Sequence, residues 1–244
     1  MPHTGPATAP RILLVRFSSI GDILLTTPLI RALRTRHPGA RIDVLTKARF
    51  VPLLADNPHL DAVLALADGE SIPAMAARLR PADYTHRLDL HGSLRSRQLR
   101  LLLPGRWRGY RKHRAARAIL VLAHRNLYPS GIPPVPERYF EAAAGLDVRP
   151  DGGPPEFALA AAAFAEADAF LFASGLDPER DLVALAPGAA HMTKRWPVEH
   201  WTALAATLAG RGRQIVVVGG PDDVPAANAV AAADLASSST CVWA

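Results

Sequence analysis

Short apolar runs alternate with stretches of helical periodicity along the first half of the chain. Four runs have the length and composition of buried strands: RILLVRF (11–17), RIDVLTK (41–47), DAVLAL (61–66) and YTHRLDLHG (84–92). Helical patterns lie between them, for example ILLTTPLIRALRTRHP (23–38). Strands that alternate with helices pair in parallel through right-handed crossovers. The pattern therefore predicts an α/β fold with an open parallel sheet.

A second unit of the same kind follows a stretch rich in proline and glycine. The stretch is residues 130–157, and two clear strands come after it, DLVALAPG (181–188) and RQIVVVGG (213–220). Two strands are fewer than a complete doubly wound sheet needs, so we expect the second sheet to be incomplete. The predicted organisation is a flexible tail (1–10), an N-terminal domain (11–145), a linker (146–160) and a partial C-terminal domain (161–244).

Several common protein classes find no support in the sequence. The fingerprints G-x-G-x-x-G, G-x-x-x-x-G-K-[ST] and G-x-S-x-G do not occur, which disfavours dinucleotide dehydrogenases and P-loop NTPases. One cysteine, Cys241, excludes a disulfide framework, and no His/Asp/Glu cluster has metal-ligand spacing. No apolar run reaches the roughly 18–20 residues that a membrane span requires, and the N-terminus lacks a signal-peptide pattern. We expect a cytoplasmic protein without a bound metal.

Positive charge is concentrated in one segment. Between His91 and Pro136 there is no acidic residue, although ten of the 28 lysines and arginines lie there. The rest of the chain has more acids than bases. Such a segment suits a polyanionic partner, namely a phosphorylated lipid, a nucleic acid or an anionic membrane face, and the alternative is an arginine-rich surface that is merely solvated.

Three turns follow predicted strands in the way that ligand-binding turns of open α/β sheets do. They are SSIGD (18–22), APGAAHMTKRWP (186–197) and VGGPDD (218–223). Ligands of such sheets bind beyond the carboxyl ends of the strands, where helix N-termini offer free N–H groups to anions.

Two charged residues in these turns have both a structural and a chemical interpretation. Asp22 lies where a helix N-cap is expected, and it is also placed to act as a general base. Lys194 is either a solvated loop lysine or a compact cation that meets a diphosphate. The residues alone leave both alternatives open.

The order and spacing of these segments resemble one known family. VRFSSIGDILLTTPLIRALRTRHPGARIDVLT (15–46), LDLHGSLRS (88–96), RWRGY (106–110) and the long segment 185–223 are similar to the family-nine glycosyltransferases, the ADP-heptose:lipopolysaccharide heptosyltransferases. The resemblance implies a GT-B architecture of two Rossmann-like domains facing a cleft. It also implies inverting transfer of heptose from ADP-heptose to the Kdo-bearing inner core of lipid A.

The resemblance assigns roles to particular residues. Asp22 matches the catalytic aspartate, the general base for the acceptor hydroxyl, and Lys194 matches the lysine that neutralises the departing ADP. The donor would be bound by residues of the second domain: Ala189, Ala190, Thr193, Gly219, Gly220 and Asp223. The acceptor would be bound by residues of the first domain: Ser18, Ser19, Gly21, His91, Arg95 and Arg97.

The implied partners are a nucleotide-sugar donor and an anionic glycolipid at the inner face of the cytoplasmic membrane. We therefore expect a monomer that associates peripherally with that membrane, needs neither metal nor cofactor and does not bind nucleic acid. The ending ADLASSSTCVWA (233–244) does not match the family pattern as we interpret it, so we expect weak or no turnover by residues 1–244. Two alternatives stay open, a non-catalytic remnant that binds anionic glycolipid or nucleic acid, and another GT-B enzyme such as a nucleotide-sugar epimerase.

Overall fold

The computed structural model describes residues 9–189, 191–232 and 240–243. The chain divides into two compact units, of which the first ends at Leu159 and the second begins at Ala160. Residues 1–8 of the predicted tail lie outside the described part. The predicted domain and linker boundaries stay a prediction.

The first unit is built on a five-stranded parallel sheet. Its strands are β1 (Arg11–Val15), β2 (Arg41–Lys47), β3 (Ala62–Leu66), β4 (His86–Asp89) and β5 (Trp107–Gly109). They lie in the order β3-β2-β1-β4-β5, so the chain crosses over from one side of β1 to the other after β3. All neighbouring pairs are parallel. The predicted fold class is therefore present, and the carboxyl ends of β1, β4 and β5 lie side by side.

Six helices accompany this sheet within residues 9–159. They are α1 (Ile20–Leu24), α2 (Thr27–Arg36), α3 (Ile72–Leu79), α4 (Leu94–Leu102), α5 (Arg114–Ala123) and α6 (Val135–Arg138), with short 3₁₀ turns at Ala48–Leu53, Arg80–Ala82 and Tyr139–Ala143. The two faces of the sheet pack into separate cores. Ile12 and Leu14 of β1 belong to one core, whereas Leu13 and Val15 belong to the other. This alternation is the period of two that a strand buried on both faces requires.

The single helix expected over 23–38 is two helices in the structure. The helix is interrupted between Leu24 and Thr27, and Pro28 lies in the first turn of α2. A proline lacks an N–H donor and disfavours helical geometry in the residue before it. The Thr26 and Thr27 hydroxyls donate instead to the carbonyls of Ile23 and Leu24, at 2.7 and 2.8 Å. The break leaves α1 as a separate turn of helix directly beyond β1.

The second unit contains a three-stranded parallel sheet in the described residues. Its strands are β6 (Leu182–Leu185), β7 (Gln214–Val218) and β8 (Thr240–Trp243), in the order β6-β7-β8, and its helices are α7 (Ala161–Ala173), α8 (Val198–Gly210) and α9 (Val224–Ala231). The core joins Ile215 and Val217 to alanines of α8 and to Val230. The sheet has a third strand besides the two clear ones in the sequence, because the short run TCVW pairs in parallel with β7.

Candidate active site

Asp22 lies in the first turn of α1, three residues after the residue that caps the helix. Ser19 is the N-cap, and its backbone N–H and its hydroxyl both point to the Asp22 Oδ2, at 3.4 and 3.0 Å. The interpretation of Asp22 as the N-cap is therefore wrong, because the helix begins at Ile20 and not at Ile23. The Asp22 carboxylate still contributes to the cap by reaching back to Ser19, as the third helical residue does in a capping box.

A buried arginine holds the other side of the Asp22 carboxylate. Arg16 directly follows β1 and is only 6% exposed. Its Nη2 lies 2.5 Å from Asp22 Oδ2, and its Nη1 donates to the Leu90 carbonyl at 2.6 Å. The guanidinium also lies over the ring of the buried Tyr139, 5.9 Å from the ring centre. Because Leu90 follows β4, Arg16 ties the ends of β1 and β4 to the carboxylate.

These contacts keep Asp22 ionised. Burial by itself raises the pKa of the carboxyl group, but the charge of Arg16 and the hydrogen bonds from Ser19 and Arg16 outweigh it. The net pKa lies below the usual value for an aspartate, so the group is a carboxylate at neutral pH. A proton acceptor in a fixed position is thus available at the end of β1.

The carboxylate faces a cavity of about 450 Å³ that is otherwise positive. Its walls are Asp22, five basic side chains and two tyrosines: Arg16, Lys112, Arg114, Arg117, Arg138, Tyr110 and Tyr128. Most of these residues follow β5 in the chain, so the cavity opens beyond the carboxyl ends of β1, β4 and β5. A cavity with this excess of cations favours an anionic ligand.

The loop after β4 fixes two of these bases. Asp89 closes that loop by accepting from the N–H groups of His91 and Gly92, at 3.0 and 2.7 Å. The carbonyls of the same two residues then accept hydrogen bonds from Lys112 and Arg114, respectively. The loop therefore presents acceptors to the cations that line the cavity, which offsets part of their mutual repulsion.

His91 is neutral in this environment. Burial, together with the charges of Arg16 and Lys112, lowers its pKa to about 4. Its ring meets Phe17 edge to face, with ring centres 5.2 Å apart. The same causes lower the pKa of Lys112, where burial is again the largest and the neighbouring Arg16 and Arg114 add to it. His91 thus contributes a neutral, half-buried ring beside the charged cavity.

The structure separates the predicted acceptor-binding residues into groups. Ser19 contacts Asp22, and Ser18 and Gly21 belong to the same turn, where Gly21 has open space above its Cα. Arg97 lines a neighbouring cavity of about 270 Å³, together with Arg100, Lys112 and Arg114. Arg95 is exposed on α4 and is not among the residues that line these two cavities.

Several residues of the cavity were missed or not singled out from the sequence. Arg16 had one available signal, a charged residue that ends an otherwise apolar strand. Arg138 lies just outside the acid-free segment, so the charge pattern did not include it. Tyr110 and Tyr128 carried no local signal, because only the fold brings them to the cavity.

In the second unit, the turn that follows β7 is organised by Asp223. Its Oδ2 accepts the N–H of Gly220 at 3.0 Å. The side chain also lies against Gly188 and Gly219, where an added Cβ would be 2.0 and 2.9 Å from atoms of Asp223. The turns after β6 and β7 are therefore in close contact, and glycine at these positions makes the contact possible.

The predicted phosphate-binding loop follows β6. Thr193 and Lys194 are exposed on a short 3₁₀ turn, Met192–Lys194, and Arg195 Nε donates to the Ala189 carbonyl at 2.6 Å. Ala190 lies outside the described residues. The joint action of Asp22 and Lys194 in one site, and the donor-binding role of this loop, stay predictions.

Within residues 9–189, 191–232 and 240–243, no three His, Cys, Asp or Glu side chains are grouped as ligands of a metal would be. In the same part of the chain, no helix has both the length and the apolar character needed to cross a membrane. The expectation of a site without metal or cofactor stays a prediction.

Comparison with known proteins finds a matching family and several similar proteins. A family model described as glycosyltransferase family 9 (heptosyltransferase) matches residues 72–242. Lipopolysaccharide heptosyltransferase 2 of Salmonella typhimurium is 29% identical over 238 residues, which covers 91% of this chain and 67% of that protein. The solved structure of the ADP-heptose lipopolysaccharide heptosyltransferase II of E. coli has a TM-score of 0.71 and 26% identity, covering 95% of this chain and 72% of that one.

A family 9 glycosyl transferase from Veillonella parvula also has the same fold, with a TM-score of 0.74 at 18% identity over 96% of this chain and 68% of that one. These likenesses confirm the predicted fold class. The chain spans about two thirds of the length of the relatives it matches. The expectation that the ending departs from the family is wrong, because the family match continues to residue 242 and includes most of β8.

Proposed function

The chain belongs to glycosyltransferase family 9, and from this premise we propose that it transfers heptose from ADP-heptose to the inner core of lipopolysaccharide, with inversion at the sugar carbon. The solved relative from E. coli carries ADP-heptose and lipopolysaccharide in its name, and it is similar over almost the whole of this chain. Both the donor and the acceptor of the present chain are inferred from that likeness.

The ionised Asp22 at the rim of a cationic cavity is the observation that carries the proposal. The acceptor hydroxyl must lose a proton as it attacks the sugar carbon, and a carboxylate held by Ser19 and Arg16 is placed to take it. The carboxylates and phosphates of a Kdo-bearing lipid A core match the five cations around Asp22. In this scheme, the cavity binds the acceptor and Asp22 removes its proton.

The donor is assigned to the second unit. Departure of ADP leaves negative charge on the diphosphate, which an ammonium group or helix N-terminal amides stabilise without a metal. Lys194 is the proposed ammonium, since it is exposed beyond the carboxyl end of β6. The turn around Gly219, Gly220 and Asp223 lies at the end of the adjacent strand and is the proposed nucleoside site.

The same scheme places the protein at a membrane. A glycolipid acceptor is embedded in the cytoplasmic leaflet, so we propose a cytoplasmic monomer that binds peripherally to the inner face of the cytoplasmic membrane. The acid-free basic segment supports this location, because polybasic surfaces are attracted to anionic lipids.

An assay of two matched variants tests the proposal. The protein is incubated with ADP-heptose and Kdo-lipid A, and both ADP release and the mass of the glycolipid are measured. We expect Asp22→Asn to lower kcat by about 100-fold or more, because the amide cannot accept the proton. Asp68→Asn removes a carboxylate from an exposed loop and serves as the control.

Three outcomes of these experiments would contradict the proposed function. Equal turnover by Asp22→Asn and the wild type would remove Asp22 from the chemistry. Epimerisation of a free UDP-sugar without acceptor would indicate a different GT-B activity. Salt-sensitive binding of DNA as tight as that of Kdo-lipid A, without transfer, would indicate a general polyanion-binding protein.

A further inference from the structure

Helix α5 exposes apolar side chains to solvent along its whole length. All ten residues of α5 (Arg114–Ala123) are described, and none of them is buried. Leu122 is 83% exposed and Val121 is 64% exposed, and Leu127 just beyond the helix is also exposed. A helix that packs only on its own core hides its large apolar residues, so this surface calls for a partner.

The apolar residues form an ordered row. Ala115, Ala118 and Leu122 are spaced by three and four residues, which places them one above another on the same side of a helix. Arg111 precedes this row by four residues and Arg125 follows it by three, so arginines stand at both ends. An apolar row framed by arginines is the pattern of a helix that lies in the plane of a membrane surface.

The same helix borders the Asp22 cavity. Arg114 and Arg117 line that cavity, while Leu122 lies further along α5 and does not. No acidic residue occurs from His91 to Pro136, so nothing in this segment would repel anionic headgroups. The helix thus connects the proposed acceptor cavity with a basic and apolar surface.

We propose that α5 is the element that docks on an anionic bilayer, with Leu122 and Val121 at the boundary of the acyl chains and the flanking arginines on lipid phosphates. The inference rests on the proposed function in one respect, because an acceptor embedded in the membrane requires the enzyme to dock there. The orientation brings the cavity to the depth at which a glycolipid headgroup leaves the bilayer. The occupant is the bilayer itself, because the charge of the helix surroundings matches anionic lipid.

Vesicle binding by a pair of matched variants tests this assignment. Vesicles of phosphatidylcholine with phosphatidylglycerol, and vesicles of phosphatidylcholine alone, are sedimented with the full chain. We expect binding to the anionic vesicles, and we expect Leu122→Asp to lower the partition coefficient by at least about fivefold. Leu101→Asp makes the same change at a leucine of α4 that is 84% exposed, within the same acid-free segment, and should lower it by less than about twofold.

Both variants change exposed residues, and unchanged thermal unfolding verifies that they fold. Equal loss in the two variants would overturn the inference, since general charge would then explain binding. Dissociation of a dimer by Leu122→Asp in the absence of vesicles would overturn it too, because a second copy would be the occupant.

The vesicles contain no acceptor, whereas transfer to a delipidated Kdo-containing core tests the proposed function without a membrane. Failure of one measurement is therefore distinguishable from failure of the other.

Discussion

At the scale of single residues, Arg16 sets both the position and the charge state of Asp22. The guanidinium contacts the carboxylate and the Leu90 carbonyl at once, so it fixes the base relative to two strand ends. It also lowers the pKa of Asp22, which reduces the basicity of the group. A general base that is held firmly but is weakly basic relies on its position more than on its proton affinity.

The first prediction concerns the pH dependence that Arg16 imposes. Transfer requires ionised Asp22, so kcat/KM rises with pH through the pKa of that group. Removal of the cation in Arg16→Met takes away a cause that lowers the pKa, and the acid limb should therefore move to higher pH. Arg16→Lys keeps the charge and should move the limb less. Profiles of kcat/KM from about pH 3 to about pH 8 measure this, because the acid limb of the wild type lies below the usual pKa of an aspartate. Identical acid limbs in the wild type and Arg16→Met would show that Arg16 does not tune Asp22.

The sequence indicated Asp22 but not the distant residues that hold Arg16 and the Asp22 backbone in place. The distance along the chain explains this, since Arg16 and Leu90 are 74 residues apart and Asp22 and Tyr139 are 117 apart. Local patterns identify residues in turns, whereas side chains that converge from distant elements become visible only once strand order is known. The misassigned cap shows the same limit at short range, because Ser19 and Asp22 are both good capping residues and the sequence does not decide between them.

At the scale of elements, the strands were the most predictable part. β2 is the clearest case, since RIDVLTK was expected over the residues that the structure assigns. Helices were less predictable where a tertiary or proline effect intervened, as at Pro28 in the first turn of α2. β8 was missed because four residues provide too short a pattern, although threonine, valine and tryptophan favour strands.

The second prediction concerns the contact between the turns after β6 and β7. In Gly188→Ala, the new methyl group would meet the Asp223 carboxylate, which would have to leave the Gly220 N–H. We expect a loss of about 1–3 kcal/mol in the free energy of unfolding of the second unit, measured by thermal and urea denaturation.

Two controls separate this contact from a general effect of alanine. Gly210→Ala lies at the end of α8, where an added Cβ has no neighbour within 4 Å, and it should be neutral or slightly stabilising. In an Asp223→Ala background the obstructing carboxylate is gone, so Gly188→Ala should cost much less there. Equal costs in the two backgrounds would exclude the proposed contact.

At the scale of the whole molecule, the chain segment 151–156, which precedes the second unit, is bound to helix α2 of the first unit. Arg31 of α2 binds Asp151 with two hydrogen bonds, at 2.6 and 2.8 Å, and also contacts Glu156. The Glu156 N–H donates to the Thr27 hydroxyl at 2.7 Å. The hydrogen bonds from Arg31 are the largest cause that lowers the pKa of Asp151, to about 2. Composition predicted a linker here, because proline and glycine content gives no indication of a distant arginine.

The third prediction is that Arg31 controls the order of this segment. Its side chain is 17% exposed. Arg36 lies on the same helix and pairs with Asp147, and its side chain is 54% exposed. Exposed ion pairs contribute little, while an arginine that joins two carboxylates and the Pro154 carbonyl contributes more. In Arg31→Met, we expect hydrogen exchange at the amides of Gly153 and Glu156 to accelerate by about tenfold or more, whereas Arg36→Met should change it by less than about twofold. Exchange is followed by mass spectrometry of peptides that cover residues 147–159.

If both variants leave the exchange unchanged, the segment is held by packing on α2 and not by Arg31. If both accelerate it equally, the general loss of charge from α2 is responsible, because only Arg31 reaches Asp151 and Glu156 together.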